Sequence, residues 1–169
     1  MALPDDDMRH ELIAGVIVDE PLPFPRHDRV RRRIERILED FAEEHDLGEV
    51  FGDAGYLLSA DPDTVRGPDV SFIAKERLAH FDYARYFRGA PDLAVEFVTP
   101  SNRPNVLRTR IAEYFAAGCR LVWVVDPAKQ SVTAYRAPDT PHHVSSKQTL
   151  DGGDVLAGLA IPVASIFRR

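Results

Sequence analysis

An α+β or mixed α/β layer packed by two helices is the architecture this sequence predicts, and three observations predict it. Two stretches, 27–48 and 103–117, carry apolar residues at helical spacing. Several short apolar runs lie before, between and after them, each bounded by Pro, Gly or Asp. No linker, repeat or low-complexity block interrupts the order of strand, helix, strands, helix, strands, so the chain reads as one domain over residues 1–169. Its 169 residues, 44% apolar and 28% charged with 13 Pro and 10 Gly, suffice for a real core and exclude disordered or collagen-like order.

The first run, Glu11 to Val18 (ELIAGVIV), is expected to be a strand with a bulge or turn at Gly15, stopped by Pro21, Pro23 and Pro25. Val30, Ile34, Ile37, Leu38 and Phe41 then form one helical stripe from His27, ending near Gly48. Glu49 to Ser59 reads as strand, Asp61 to Gly67 as loop, and Pro68 to Ile73 as a short, mostly buried strand. Lys75 to Gly89 is expected to be a loop or short helix. Pro91 to Val98 repeats the Pro-Asp entry into an apolar strand. Leu107, Ile111, Tyr114 and Phe115 mark a second helix over Arg103 to Ala117, stopped by Gly118. Arg120 to Val125 and Ser131 to Arg136 flank an Asp126-Pro127 turn as a hairpin, with a further strand near Val144 to Leu150.

The composition narrows the setting. The apolar runs, such as Leu121 to Val125, are far shorter than the ~20 residues a bilayer span needs, and Met1 to Asp7 is acidic, so a soluble cytoplasmic protein without a membrane partner is expected. A single Cys119 cannot form an internal disulfide, and neither Cys nor His has zinc spacing. The net charge of −6 argues against indiscriminate coating of nucleic acid, yet six Arg crowd between Arg26 and Arg36.

Glu96 carries the most information, because it interrupts an otherwise apolar central strand. Burying an unpaired charge costs at least several kcal/mol, so its surroundings must supply a cation, a hydrogen-bond network or a proton. A structural ion pair or an exposed edge strand would also accommodate it. Asp69 opens another strand expected beside Glu96, and two such carboxylates can hold Mg²⁺ through oxygen ligands and water. Asp92 is best read as a strand-entry turn. Arg110 borders the inward stripe of the second helix, within reach of the Glu96 strand, or else packs its stem as a surface arginine. His27 falls on the apolar side of the first helix as a core, capping or site residue. Arg29, Arg32, Arg33 and Arg36 face the other way, where cations in the first turns oppose the macrodipole by roughly 0.3 to 1 kcal/mol each. Phosphate binding would explain that crowding, and pairs such as Asp28 with Arg32 explain part of it. His142, His143, Tyr83, Tyr86 and Trp123 show no ligand spacing or stacking pattern and read as loop and core residues.

In the order HELIAGVIV, His27, PDVSFI, DLAVEFVTPSNR, EYFAAG, LVWVVDP and VLAGLAIPVASIF, the chain resembles the Uma-two-type restriction endonucleases, a branch of the PD-(D/E)xK nuclease superfamily. The resemblance covers nearly the whole sequence. It implies a restriction-endonuclease-like mixed sheet flanked by helices, with a Mg²⁺-dependent phosphodiesterase site, Mn²⁺ being an alternative ion. By the same resemblance Asp69, Glu96 and the carbonyl of Phe97 are metal ligands, and Glu11 is a third site carboxylate. His27, with Arg29, Arg32 and Arg33, is the expected substrate contact. The superfamily motif would put Lys at Val98, and this branch resembles a variant with that Lys moved to the following helix, where this chain has Arg110. Asn102 and Val106 stand at positions that are commonly Asp, and so does Ala14. Arginine keeps the charge but is a poor general base. The expected function is therefore DNA cleavage by an endonuclease with nucleic acid as partner and a homodimer as candidate assembly. The alternative is a catalytically impaired nuclease fold that binds nucleic acid or a protein without cutting.

Overall fold

A computed structural model of the chain describes residues 9–20, 25–79, 81–99 and 104–168. The first apolar run is two strands, not one: β1 (Arg9–Ile13) and β2 (Val16–Glu20) pair antiparallel with Ile13 opposite Val16. The chain reverses there because Ala14 (φ 47°) and Gly15 (φ 77°) both take positive φ, as a two-residue type I′ turn requires. Helix α1 (Pro25–Glu44) buries Val30, Ile34 and Leu38 of the expected stripe together with Ala42, while Ile37 and Phe41 are half-buried against the same core. Val30, Ile34 and Leu38 each contribute about 1.5–3 kcal/mol by leaving water.

The expected strand over 49–59 is divided into β3 (Gly48–Gly52) and β4 (Tyr56–Ser59), which belong to different sheets. The expected loop over 61–67 contains β5 (Thr64–Arg66). Then follow β6 (Val70–Ala74), the short helix α2 (Lys75–Leu78), β7 (Phe87–Arg88), β8 (Leu93–Phe97) and helix α3 (Pro104–Ala116). Strands β9 (Leu121–Asp126) and β10 (Ser131–Tyr135) form the expected hairpin, with Asp126 opposite Ser131. The strand expected over 144–150 is also divided, into β11 (Pro141–Val144) and β12 (Thr149–Asp151), because the Gln148 N–H folds back to the Ser145 carbonyl at 3.0 Å. Strand β13 (Ala160–Pro162) pairs with β12, and α4 (Val163–Ile166) follows it.

The larger sheet runs β11-β10-β9-β8-β6-β3, antiparallel except for β8 and β9, which α3 connects as a parallel crossover. A second sheet runs β2-β1-β5-β4-β7, and β12-β13 form a third of two strands. Alternation along β8 assigns its residues to two layers. Leu93, Val95 and Phe97 join the core cluster containing the α1 stripe, whereas Ala94 joins Val122, Val124 and the α3 residues Ile111 and Tyr114. Glu96 has the parity of Ala94 and therefore faces α3.

Candidate active site

Two donors on α3 meet Glu96. Arg110 and Tyr114 lie four residues apart, hence on one helical face. Arg110 Nη1 donates to Glu96 Oε2 at 2.8 Å, and the Tyr114 hydroxyl donates to Oε1 at 2.6 Å. Glu96 is 1% exposed. Burial pushes its carboxyl up to about 7; Asp69 and Glu11 push the same way, while Arg110 and the Tyr114 hydrogen bond oppose the rise. Burial also holds the Tyr114 hydroxyl well above its ordinary range, reinforced by the adjacent Glu96.

Asp69 stands beside Glu96 because of strand register. Val70 pairs with Val95 across β6 and β8, so one further step along the antiparallel ladder sets Asp69 opposite Glu96. The Phe97 backbone N–H donates to Asp69 Oδ2 at 2.9 Å. His27 Nε2 lies 3.5 Å from Asp69 Oδ1, and its ring sits 4.3 Å from that of Phe97. His27 is buried, with Nε2 lacking a hydrogen bond among the described residues.

Glu11 enters from the second sheet. Leu12 pairs with Val65, so Glu11 lies opposite Arg66 across β1 and β5. Arg66 Nη1 donates to Glu11 Oε2 at 2.8 Å, Arg110 Nη2 reaches the same oxygen at 3.0 Å, and the Gly67 N–H donates to Oε1 at 3.3 Å. Arg66 also grips Glu113 Oε2 through Nε at 2.8 Å and Nη2 at 2.6 Å. Burial disfavours the Arg66 charge, yet Glu11 and Glu113 hold its pKa above the ordinary value. Arg66, Glu113 and the polar role of Tyr114 are additions to the site residues expected from the sequence. Glu113 and Tyr114 had a usable signal, since they follow Arg110 at i+3 and i+4; Arg66 had none in a segment that reads as loop.

The structure thus brings together Glu11, Asp69, Glu96, Arg110, His27 and Phe97, and among the described residues no bond joins Arg29, Arg32 or Arg33 to them. Arg33 Nη1 donates to the carbonyls of Ser165 at 3.1 Å and Arg168 at 2.7 Å. Arg32 pairs with Asp28 at 3.1 Å, the pair its i,i+4 spacing allows, and Arg29 is exposed. Asp92 is structural, accepting from the Ala74 N–H at 2.9 Å and Arg77 at 3.0 Å. Val106 is 45% exposed; Asn102 lies outside the described residues.

The donor chemistry fits a hard divalent cation. Glu11, Glu96 and the half-buried Glu113 bond the guanidiniums of Arg66 and Arg110, and Asp69 stands beside Glu96, which leaves two formal negative charges when all are ionised. Each carboxylate oxygen has two lone pairs, so the bonds from Arg110 and Tyr114 leave Glu96 capacity to ligate. Among the described residues no three acidic, His or Cys side chains form a ready cage. Mg²⁺ seldom needs one, since it binds through one or two carboxylates and keeps several waters.

A family model described as Uma2, putative restriction endonuclease, matches residues 1–166. The chain belongs to the Uma2 family. A crystal structure described as a putative nuclease belonging to DUF820, from Anabaena variabilis ATCC 29413, superposes with a TM-score of 0.84 at 19% identity, covering 98% of this chain and 93% of that one. Its likeness establishes that this Uma2 chain has the same mixed α+β fold. No curated protein matches the sequence.

Proposed function

We propose that this protein is an endonuclease that hydrolyses DNA phosphodiester bonds at the Glu11, Asp69, Glu96 and Arg110 cluster. Asp69, Glu96 and the Phe97 carbonyl would hold Mg²⁺ or Mn²⁺. Glu96 carries the reading. A carboxylate buried to 1% exposure in a central strand, opposite a second acid, is an arrangement that stability alone does not favour. Membership of the Uma2 family supports the reaction class.

A bound cation supplies a Lewis acid at the phosphate and a water made nucleophilic. The chain does the rest. Tyr114 and Arg110 fix one orientation of the Glu96 carboxylate, and Arg66 with Gly67 fixes Glu11. Arg110 stays protonated near neutral pH, so it offsets negative charge growing on the phosphate but cannot accept the proton from water. His27 packs against the Asp69 side of the cluster and keeps that carboxylate out of bulk water.

Arg110 also favours a second reading. Because its guanidinium spans Glu96 and Glu11, the chain's own cation partly neutralises the site, and the protein would bind nucleic acid or a protein partner without cutting. Cleavage of single- and double-stranded DNA with Mg²⁺ and Mn²⁺ separates the two. An active nuclease loses metal-dependent cleavage in Glu96→Gln and retains or gains it in Arg110→Lys. Inactivity of wild type and Arg110→Lys on every substrate establishes the second reading, and cleavage that survives Glu96→Gln overturns the site.

A further inference from the structure

At the β7 edge of the second sheet lies a groove of about 770 Å³, within the size range of ligand clefts, that the proposed reaction does not use. Its walls are largely aromatic, and among the described residues two arginines line it and no carboxylate does. Beneath it the rings are close-packed: Phe81 stacks on Phe87 at 3.7 Å and 10°, and Tyr56 stacks on Phe87 at 5.1 Å. Above that layer Tyr83 and Tyr86 are each 60% exposed, an unusual position for two large rings.

Both tyrosines are held in place. The Tyr83 hydroxyl donates to Glu49 at 2.8 Å, and its ring meets Phe81 edge-on at 5.2 Å and 74°. Tyr86 lies over Gly55, so closely that a Cβ there would come 2.5 Å from the ring. The loop between them is a built turn, with the Arg85 N–H bonded to the Asp82 carbonyl and the Ala84 N–H to the Asp82 side chain, both at 3.0 Å. Exposed rings already fixed in position can accept a flat ligand without losing much conformational entropy.

The charges beside the rings select the ligand. Arg88 projects from β7 into water with no ion pair among the described residues, and Arg85 has only an exposed pair with Asp82 at 3.1 Å. Ordered aromatic faces flanked by exposed guanidiniums suit unpaired nucleobases on an anionic backbone: the rings stack on bases and the arginines meet phosphates. A duplex keeps its bases stacked on one another and cannot use the rings in this way.

Resting on the nuclease reading for the identity of its ligand, we infer that Tyr83 and Tyr86, flanked by Arg85 and Arg88, form a binding site for single-stranded nucleic acid. Fluorescence anisotropy with a labelled short oligo(dT) strand and a duplex of equal length, in EDTA, tests it. Tyr83→Ala and Tyr86→Ala should each weaken single-strand binding about tenfold while leaving duplex binding unchanged, and Tyr86→Phe should keep it. Gly55→Ala should weaken it too by pushing Tyr86 aside, and Arg88→Ala should flatten the dependence of affinity on salt. Wild type that does not bind the single strand, or a folded Tyr83→Ala/Tyr86→Ala variant that binds it like wild type, overturns the inference. A parallel cleavage assay judges the nuclease reading separately. Tyrosine-dependent binding without cleavage leaves this site standing and defeats that reading; cleavage with tyrosine-independent binding does the reverse.

Discussion

Arg110 decides how the acidic cluster survives burial. It binds Glu96 at 2.8 Å and Glu11 at 3.0 Å while only 3% exposed, so removing it leaves the buried Glu96 carboxylate with the Tyr114 hydroxyl as its bonded partner and Glu11 with Arg66 as its bonded cation. Arg110→Ala should therefore cost about 3–5 kcal/mol in denaturant unfolding, whereas Arg110→Lys, which keeps the charge, should cost markedly less. In an active enzyme Arg110→Ala should also cost about 2–4 kcal/mol of transition-state stabilisation, read from kcat/KM. At Cys119 burial alone makes a second prediction. It pushes the thiol up to about 11, so the native protein should resist an alkylating reagent near neutral pH and react once unfolded. Mass spectrometry after labelling with and without denaturant reads the difference, and rapid native labelling would contradict the packing around β8 and β9.

At the scale of elements, turns and close approaches set the boundaries. Gly48 joins α1 to β3 where a Cβ would lie 2.0 Å from the Ile73 carbonyl oxygen of β6, so Gly48→Ala should destabilise by about 3 kcal/mol or more. The β1–β2 turn has the opposite potential: Ala14 sits at φ 47°, where Asn is better tolerated, so Ala14→Asn should raise stability by about 0.5 kcal/mol. Thermal melts of both variants check the pair. These same features explain what was legible. The α1 and α3 stripes and the β9–β10 hairpin announce themselves through periodicity and a clear Asp-Pro turn. An Ala-Gly reversal inside ELIAGVIV lacks the usual Asn-Gly signature, so the first hairpin reads as one strand. The three-residue strands β5, β12 and β13 are too short for any period to show. Glu96 was legible because a charge breaks an apolar strand, and Asp69 because it opens the neighbouring one. Arg66 was not, because its partner Glu11 is 55 residues away and only the register of β1 on β5 brings them together.

Across the whole molecule, two sheets and a helix converge on one largely buried cluster: Glu11 and Arg66 come from the second sheet, Glu96 from the larger one with Asp69 at the entry to β6 beside it, and Arg110, Glu113 and Tyr114 from α3. No helix among the described residues is long and apolar enough to cross a membrane. A cation that joins this network should bind the folded chain far better than the unfolded one, so at 100 times its Kd it should add about 2.7 kcal/mol of stability and raise Tm accordingly. Calorimetric titration of Mn²⁺ into the purified protein decides whether the acidic cluster is a metal site. A metal site at Asp69 and Glu96 binds saturably in wild type, loses binding in a folded Asp69→Asn variant and binds more weakly in Glu96→Gln; no binding by wild type, or binding undiminished in Asp69→Asn, rules it out.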